Sequence, residues 1–190
     1  MAVFHFLLSF FIEFGALVGF LSVALLYGFF PGVYVLIILS LLSLFFSWVR
    51  DKRLPIFSIY AASAVLFFGS LSLYYHSEYM VVLEYTLYNF IFAAAAFWGY
   101  KNSKPIMKTL FPTMFVMSDR GWQIMSIAWG FLFFISAFAN EFFWHFFDEK
   151  IWLLFRVFMI IFSTIFGALL FFVSRKERLP GSTAWGLKKY

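Results

Sequence analysis

The sequence predicts an all-α fold, a polytopic transmembrane helix bundle of six spans with one amphipathic interfacial segment, five spans being the alternative. Three observations carry this. Of 190 residues, 64% are hydrophobic, 26% aromatic and only 12% charged, whereas globular domains run at about 45–50% apolar and about 25% charged. The apolar runs follow one another so closely that no soluble domain fits between them. Most of them approach the roughly 20 residues that a helix needs to cross a hydrocarbon core about 30 Å thick.

The first run, Val3 to Phe29, reads as a retained span rather than a secretory signal, since no Lys or Arg precedes Arg50 and no small-residue cleavage site is evident. It holds Glu13, which shares a face with Ser9, Ala16 and Phe20 beside a Gly15-x-x-x-Gly19 surface. Two readings of Glu13 stand: a functional intramembrane carboxylate, or a neutral, hydrogen-bonded carboxylic acid that serves helix packing. Phe29-Phe30-Pro31-Gly32 is the expected turn into the second run, Val33 to Val49. That run is short, which keeps five spans open.

The third and fourth runs, Pro55 to Tyr75 and Val81 to Gly99, lead into the longest connection, KNSKPIMKTLFPTMFVMSDRGW. There Ile106, Met107, Leu110, Phe111 and Met114 recur at helical spacing while Lys104 and Lys108 occupy another face. Such a segment is expected at the membrane surface, with Lys104 and Lys108 attracted to anionic lipid. A solvated loop is the plainer reading. Pro112 breaks the helix, and Ser118 or Asp119 offers an N-cap for the fifth run.

The fifth run, Ile124 to Phe143, belongs to a face of Trp122, Ser126, Trp129, Phe133, Ser136, Asn140 and Trp144 spaced by alternate fours and threes. The sixth, Ile151 to Val173, repeats the pattern with Trp152, Arg156, Met159, Ser163, Gly167, Leu170 and Ser174. Both faces are expected to point into the bundle, Ser163-x-x-x-Gly167 giving a small-residue helix contact. An interfacial belt suits Trp122, Trp144 and Trp152, whereas Trp129, about two turns inside, suits packing. The two runs make an antiparallel hairpin that turns between Asp148 and Glu149, so Glu141 and Arg156 fall at similar depth. An ionisable group there costs roughly 2.5–3.5 kcal/mol on insertion scales. Hence either the two pair, with Asn140 adding a hydrogen bond, or Arg156 snorkels outward.

The basic clusters follow the second, fourth and sixth runs, and the acidic connections, with Glu78, Glu141, Asp148 and Glu149, follow the third and fifth. The positive-inside rule puts the basic side and the C-terminus in the cytoplasm. Residues 1–175 form one transmembrane domain in this reading, and 176–190 a basic cytoplasmic tail. The net charge of +5 is thereby spent on topology, and nucleic-acid binding is discarded. With no cysteine, disulfides, thiolate metal sites, thiol nucleophiles and palmitoylation are excluded. His5, His76 and His145 lie near helix ends without a metal or phosphate-binding motif. No catalytic residue, cofactor or metal is expected.

The quoted residues carry a resemblance. Trp122-x3-Ser126-x2-Trp129, Phe133-Phe134, Asn140-Glu141-x2-Trp144 and Trp152-x2-Phe155-Arg156-x-Phe158 resemble the septation protein A (YciB) family of bacterial inner-membrane proteins. So do Lys104-Pro105, Thr86 with Asn89, His76, and Ile12-Glu13-Phe14-Gly15. Three positions depart from the family pattern: Glu84-Tyr85-Thr86 in place of Lys-Pro-Thr, Arg156 in place of Lys, and Ala16 in place of a proline. The resemblance implies a non-enzymatic, multi-pass inner-membrane protein that supports septation, cell shape and cell-envelope integrity. Its implied partners are the lipid bilayer and cell-envelope and division membrane proteins, with an oligomer allowed. The alternative is a small transporter or lipid-handling protein using Glu13 and Arg156. Glu13, Trp122, Trp129, Asn140, Glu141, Trp144, Trp152 and Arg156 are the candidate structural or interaction residues.

Overall fold

A computed structural model describes the backbone of residues 2–51, 56–111 and 115–187, and the side chains of 15–49, 59–111 and 115–187. Side-chain expectations for Ser9, Glu13 and Arg50, and all those for Lys52, Arg53, Pro55, Pro112, Met114, Lys188 and Lys189, lie outside the described residues. Within them the fold is helical, with no strand. Six long helices are α1 (Ala2–Tyr27), α2 (Phe29–Asp51), α3 (Ile56–Tyr75), α4 (Tyr79–Lys101), α6 (Asp119–Phe146) and α7 (Glu149–Lys176), and a short α5 (Ile106–Leu110) precedes α6. Phe29–Val49, Tyr79–Lys101, Asp119–Phe146 and Glu149–Lys176 are each long and apolar enough to cross a membrane. The shorter apolar stretches Gly15–Tyr27 and Ile59–Tyr75 belong to the other two long helices. The chain is a helical membrane protein.

It divides into two compact units, Met1–Tyr85 with Asp148–Leu153, and Thr86–Phe147 with Leu154–Tyr190. In the first, the turn between α1 and α2 is a single residue. Gly28 takes φ +99°, a conformation open to glycine without a Cβ penalty. The turn therefore falls earlier than Phe29-Phe30-Pro31-Gly32. Those residues open α2, because the N–H that Pro31 lacks would have had no partner in a first turn. Gly32 lets α2 approach the α1 backbone, where an added Cβ would stand 3.0 Å from the Phe20 carbonyl oxygen. Phe20, Ala24, Phe29, Val33 and Trp152 are buried there, with the Phe29 and Trp152 rings 5.9 Å apart.

Helices α3 and α4 end alike. His76 (φ 48°) and Ser103 (φ 56°) are left-handed, and the next residue's N–H reaches back five places, from Ser77 to the Ser72 carbonyl (3.0 Å) and from Lys104 to the Gly99 carbonyl (2.8 Å). Each is a six-to-one closure of the Schellman type without its usual glycine.

The second unit is knit by α4, α6 and α7. Gly130 of α6 leaves room for Ala96 and Phe97 of α4, since an added Cβ would sit 2.9 Å from the Ala96 Cβ. Phe143 and Phe155 stack at 4.3 Å and 11° between α6 and α7. Between membrane helices such packing does what hydrophobic burial does in water, because lipid tails are as apolar as the side chains. The α6 hydroxyls stay local or cap neighbours: Ser136 donates to the Leu132 carbonyl (2.7 Å), and Ser126 accepts the Met107 N–H of α5 (3.1 Å).

Candidate functional site

Starting α6 falls to Ser118, whose hydroxyl oxygen accepts the Gly121 N–H at 3.1 Å and whose own proton goes to Glu177 at 2.6 Å. The phase so fixed buries Trp122, Ser126, Ser136 and Asn140 and leaves Phe131, Ile135, Phe138 and Phe142 exposed on the opposite face. Trp129 packs against Phe166 at 5.5 Å and lies over Gly167, whose missing Cβ would stand 3.3 Å from the indole. Gly167 thus makes room for a ring instead of bringing helix backbones together. Trp122 packs edge-on to Phe115. Trp144 is half-buried one turn beyond Asn140, and Trp152 is fully buried.

Asn140 and Glu141 meet through Thr86 of α4. The Asn140 amide donates to the Thr86 hydroxyl oxygen at 2.9 Å, and the Thr86 hydroxyl donates to Glu141 Oε1. A buried amide, a hydroxyl and a half-buried carboxylate therefore satisfy one another, as burial in low dielectric demands. His145 stands one turn on from Glu141, its Nδ1 2.9 Å from the Glu141 carbonyl oxygen and 3.6 Å from Oε2.

Arg156 is buried, 5% exposed. The Phe143–Phe155 stack sets the register of α6 against α7: Glu141 lies two residues before Phe143, and Arg156 one residue after Phe155. At 1.5 Å per residue their levels differ by about 1.5 Å. Thr86 was reachable from the sequence only through the family resemblance, because a lone threonine in an apolar run carries no pattern of its own.

A second polar feature stands where α4 ends and α6 begins. Ser103, Lys104, Lys108, Thr109, Asp119 and Gln123 line an open cavity of about 500 Å³. Lys108 Nζ donates to Asp119 Oδ1 at 2.7 Å, both groups being well exposed. The floor is firm. The Lys104 carbonyl lies over Gly99, 2.5 Å from where a Cβ would be, and Met107 anchors α5 in a cluster with Phe115, Met117, Trp122 and Met125.

The intracellular septation protein A family model matches residues 8–177. The chain belongs to that family. Among its curated relatives, the inner membrane-spanning protein YciB of Brucella anthropi is 30% identical over 131 residues, 69% of this chain and 60% of that protein. Those of Brucella suis and Brucella ovis are each 29% identical over 131 residues, covering 66% and 60% of their lengths. The match thus spans less than two thirds of these relatives. No solved structure matches. The relatives' names together with the apolar helices support a multi-pass protein of the inner membrane.

Proposed function

We propose that this chain supports septation and cell-envelope integrity as a non-enzymatic inner-membrane protein, one membrane domain of six spans acting through contacts with envelope-synthesis and division proteins. The C-terminus is cytoplasmic in this reading. The observation that carries it is the Thr86–Asn140–Glu141 cluster, whose polar atoms bond to each other across α4 and α6. Groups so engaged hold helices in register. A transport path needs polar groups facing water, yet neither the cavity at α5 nor the groove along Ser63, Leu66, Ser70 and Tyr74 of α3 is lined by Asn140, Glu141 or Arg156. Further support comes from the large apolar side chains that α6 exposes opposite its buried face, which suit lipid and partner helices.

Crosslinking in intact cells, followed by identification of the captured proteins, tests this. Envelope-synthesis or division membrane proteins should be recovered, and cells depleted of the protein should divide abnormally. Recovery of none of them, with normal division on depletion, would overturn the reading.

A further inference from the structure

We infer that the cavity beside α5 is a binding site for a singly charged phosphodiester headgroup carrying hydroxyls, of the phosphatidylglycerol kind, held at the membrane surface. The inference rests on the proposal that these helices span a bilayer, and it goes beyond a general attraction of lysines to lipid. Charge comes first. Lys104, Lys108 and Asp119 give the lining a net charge of +1, which a phosphodiester monoanion neutralises. The remaining groups are neutral donors and acceptors: the Ser103 and Thr109 hydroxyls and the Gln123 amide match a headgroup that carries hydroxyls.

Place comes second. The cavity opens where α4 ends and α6 starts, at the limits of two helices long and apolar enough to cross a membrane. Exposed Trp98, Tyr100 and Phe111 stand near it in sequence, aromatic residues of the kind that settle at headgroup depth.

Preorganisation comes third. Lys104 is fixed by its N–H bond to the Gly99 carbonyl (2.8 Å), Pro105 by the start of α5, and α5 by the Met107 bond to Ser126. The Lys108–Asp119 pair is exposed on both sides, and exposed pairs are weak. Lys108 can therefore turn to a phosphate at little cost, leaving Asp119 as the element that rejects more highly charged anions.

The test uses the full chain in nanodiscs of neutral phosphatidylcholine, titrated with phosphatidylglycerol and read by native mass spectrometry, with inorganic phosphate and soluble glycerophosphoglycerol as competitors. Lys104→Gln should weaken binding by more than the roughly fivefold that one basic residue contributes through diffuse surface charge. Thr109→Ala, which leaves charge untouched, should weaken it too. Asp119→Asn should strengthen it, and Arg120→Gln, an exposed cation outside the cavity lining, should weaken it by no more than that diffuse amount. Equal losses from Lys104→Gln and Arg120→Gln would reduce the site to diffuse surface charge and overturn the inference. Weaker phosphatidylglycerol binding in Asp119→Asn would contradict the charge balance from which the monoanion was assigned. Displacement by inorganic phosphate as readily as by glycerophosphoglycerol would mean a free-phosphate site; either result also overturns it. Because the readout is lipid bound to the isolated protein, its failure leaves the septation proposal standing, and the reverse holds.

Discussion

At the residue scale, Glu141 and Arg156 stand nearly level in α6 and α7, Arg156 buried and Glu141 accepting a hydrogen bond from the Thr86 hydroxyl. An ion pair between them is proposed on depth and charge. Glu141→Gln and Arg156→Gln should each lower stability, by about 3–5 kcal/mol if a buried charge is stranded. The double variant should lose much less than the sum. Additive losses in thermal unfolding would show that the two do not meet. Glu78, outside the spans, offers a pH test, because burial raises its carboxyl above the usual value. Between about pH 4.3 and that raised value, the folded state holds a proton that the unfolded state has released. Stability therefore falls as pH rises through this window and stays reduced above it. Glu78→Gln should be more stable than the parent near neutral pH and equal to it near pH 4. A difference that persists unchanged at pH 4 would assign the effect to something other than the carboxylate. The depth of Glu141 and Arg156 was legible by counting from the Asp148–Glu149 turn. The bond from Thr86 was not, since hydropathy says nothing about which hydroxyl on another helix meets a given carboxylate.

At the scale of elements, the runs read from apolar length agree with the six long helices to within a few residues at most ends, because a bilayer core selects length and apolarity before anything else. Turn chemistry was harder to read. His76 and Ser103 end helices in a conformation usually left to glycine, while Phe29-Phe30-Pro31-Gly32 looks like a turn and is helix. The segment after α7 held the least signal. Read as a basic tail, it folds back: Leu179 donates to the Val116 carbonyl (3.1 Å), Val116 donates to the Gly186 carbonyl (2.7 Å), and Ser118 donates to the Glu177 carbonyl (2.8 Å). These are backbone bonds, on which side-chain identity leaves little trace. Two side-chain features accompany them: the Arg175 guanidinium lies over the Trp185 ring at 5.0 Å, and Gly186 sits at φ +73° with the Ser174 carbonyl oxygen 2.5 Å from any added Cβ. Gly186→Ala should open this closure, costing about 1–2 kcal/mol from the left-handed backbone alone. Amide exchange at Val116 should accelerate while the middle of α6 keeps its protection. Unchanged exchange at Val116 would show that the closure does not depend on Gly186.

At the scale of the whole molecule, composition and charge clustering were enough to read a multi-pass membrane protein, and they prescribe a topology. Reporters fused after Tyr190 and within Lys101–Lys104 should read cytoplasmic, and one at Ser77 periplasmic; a periplasmic C-terminus would reverse the assignment. A reporter before Met1 should read cytoplasmic if α1 crosses, and a periplasmic reading would leave five spans. The central claim is that the polar groups inside the helices act by holding shape, not by moving protons or substrates. The most direct measurement is cell division in depleted cells that express the Thr86→Val, Asn140→Leu, Glu141→Gln triple variant, which keeps the branching and number of side-chain heavy atoms while removing the hydroxyl, the amide and the charge. The predicted result is that septation falls only as far as the variant's stability and abundance fall; failed septation with the variant folded and fully abundant would contradict the account.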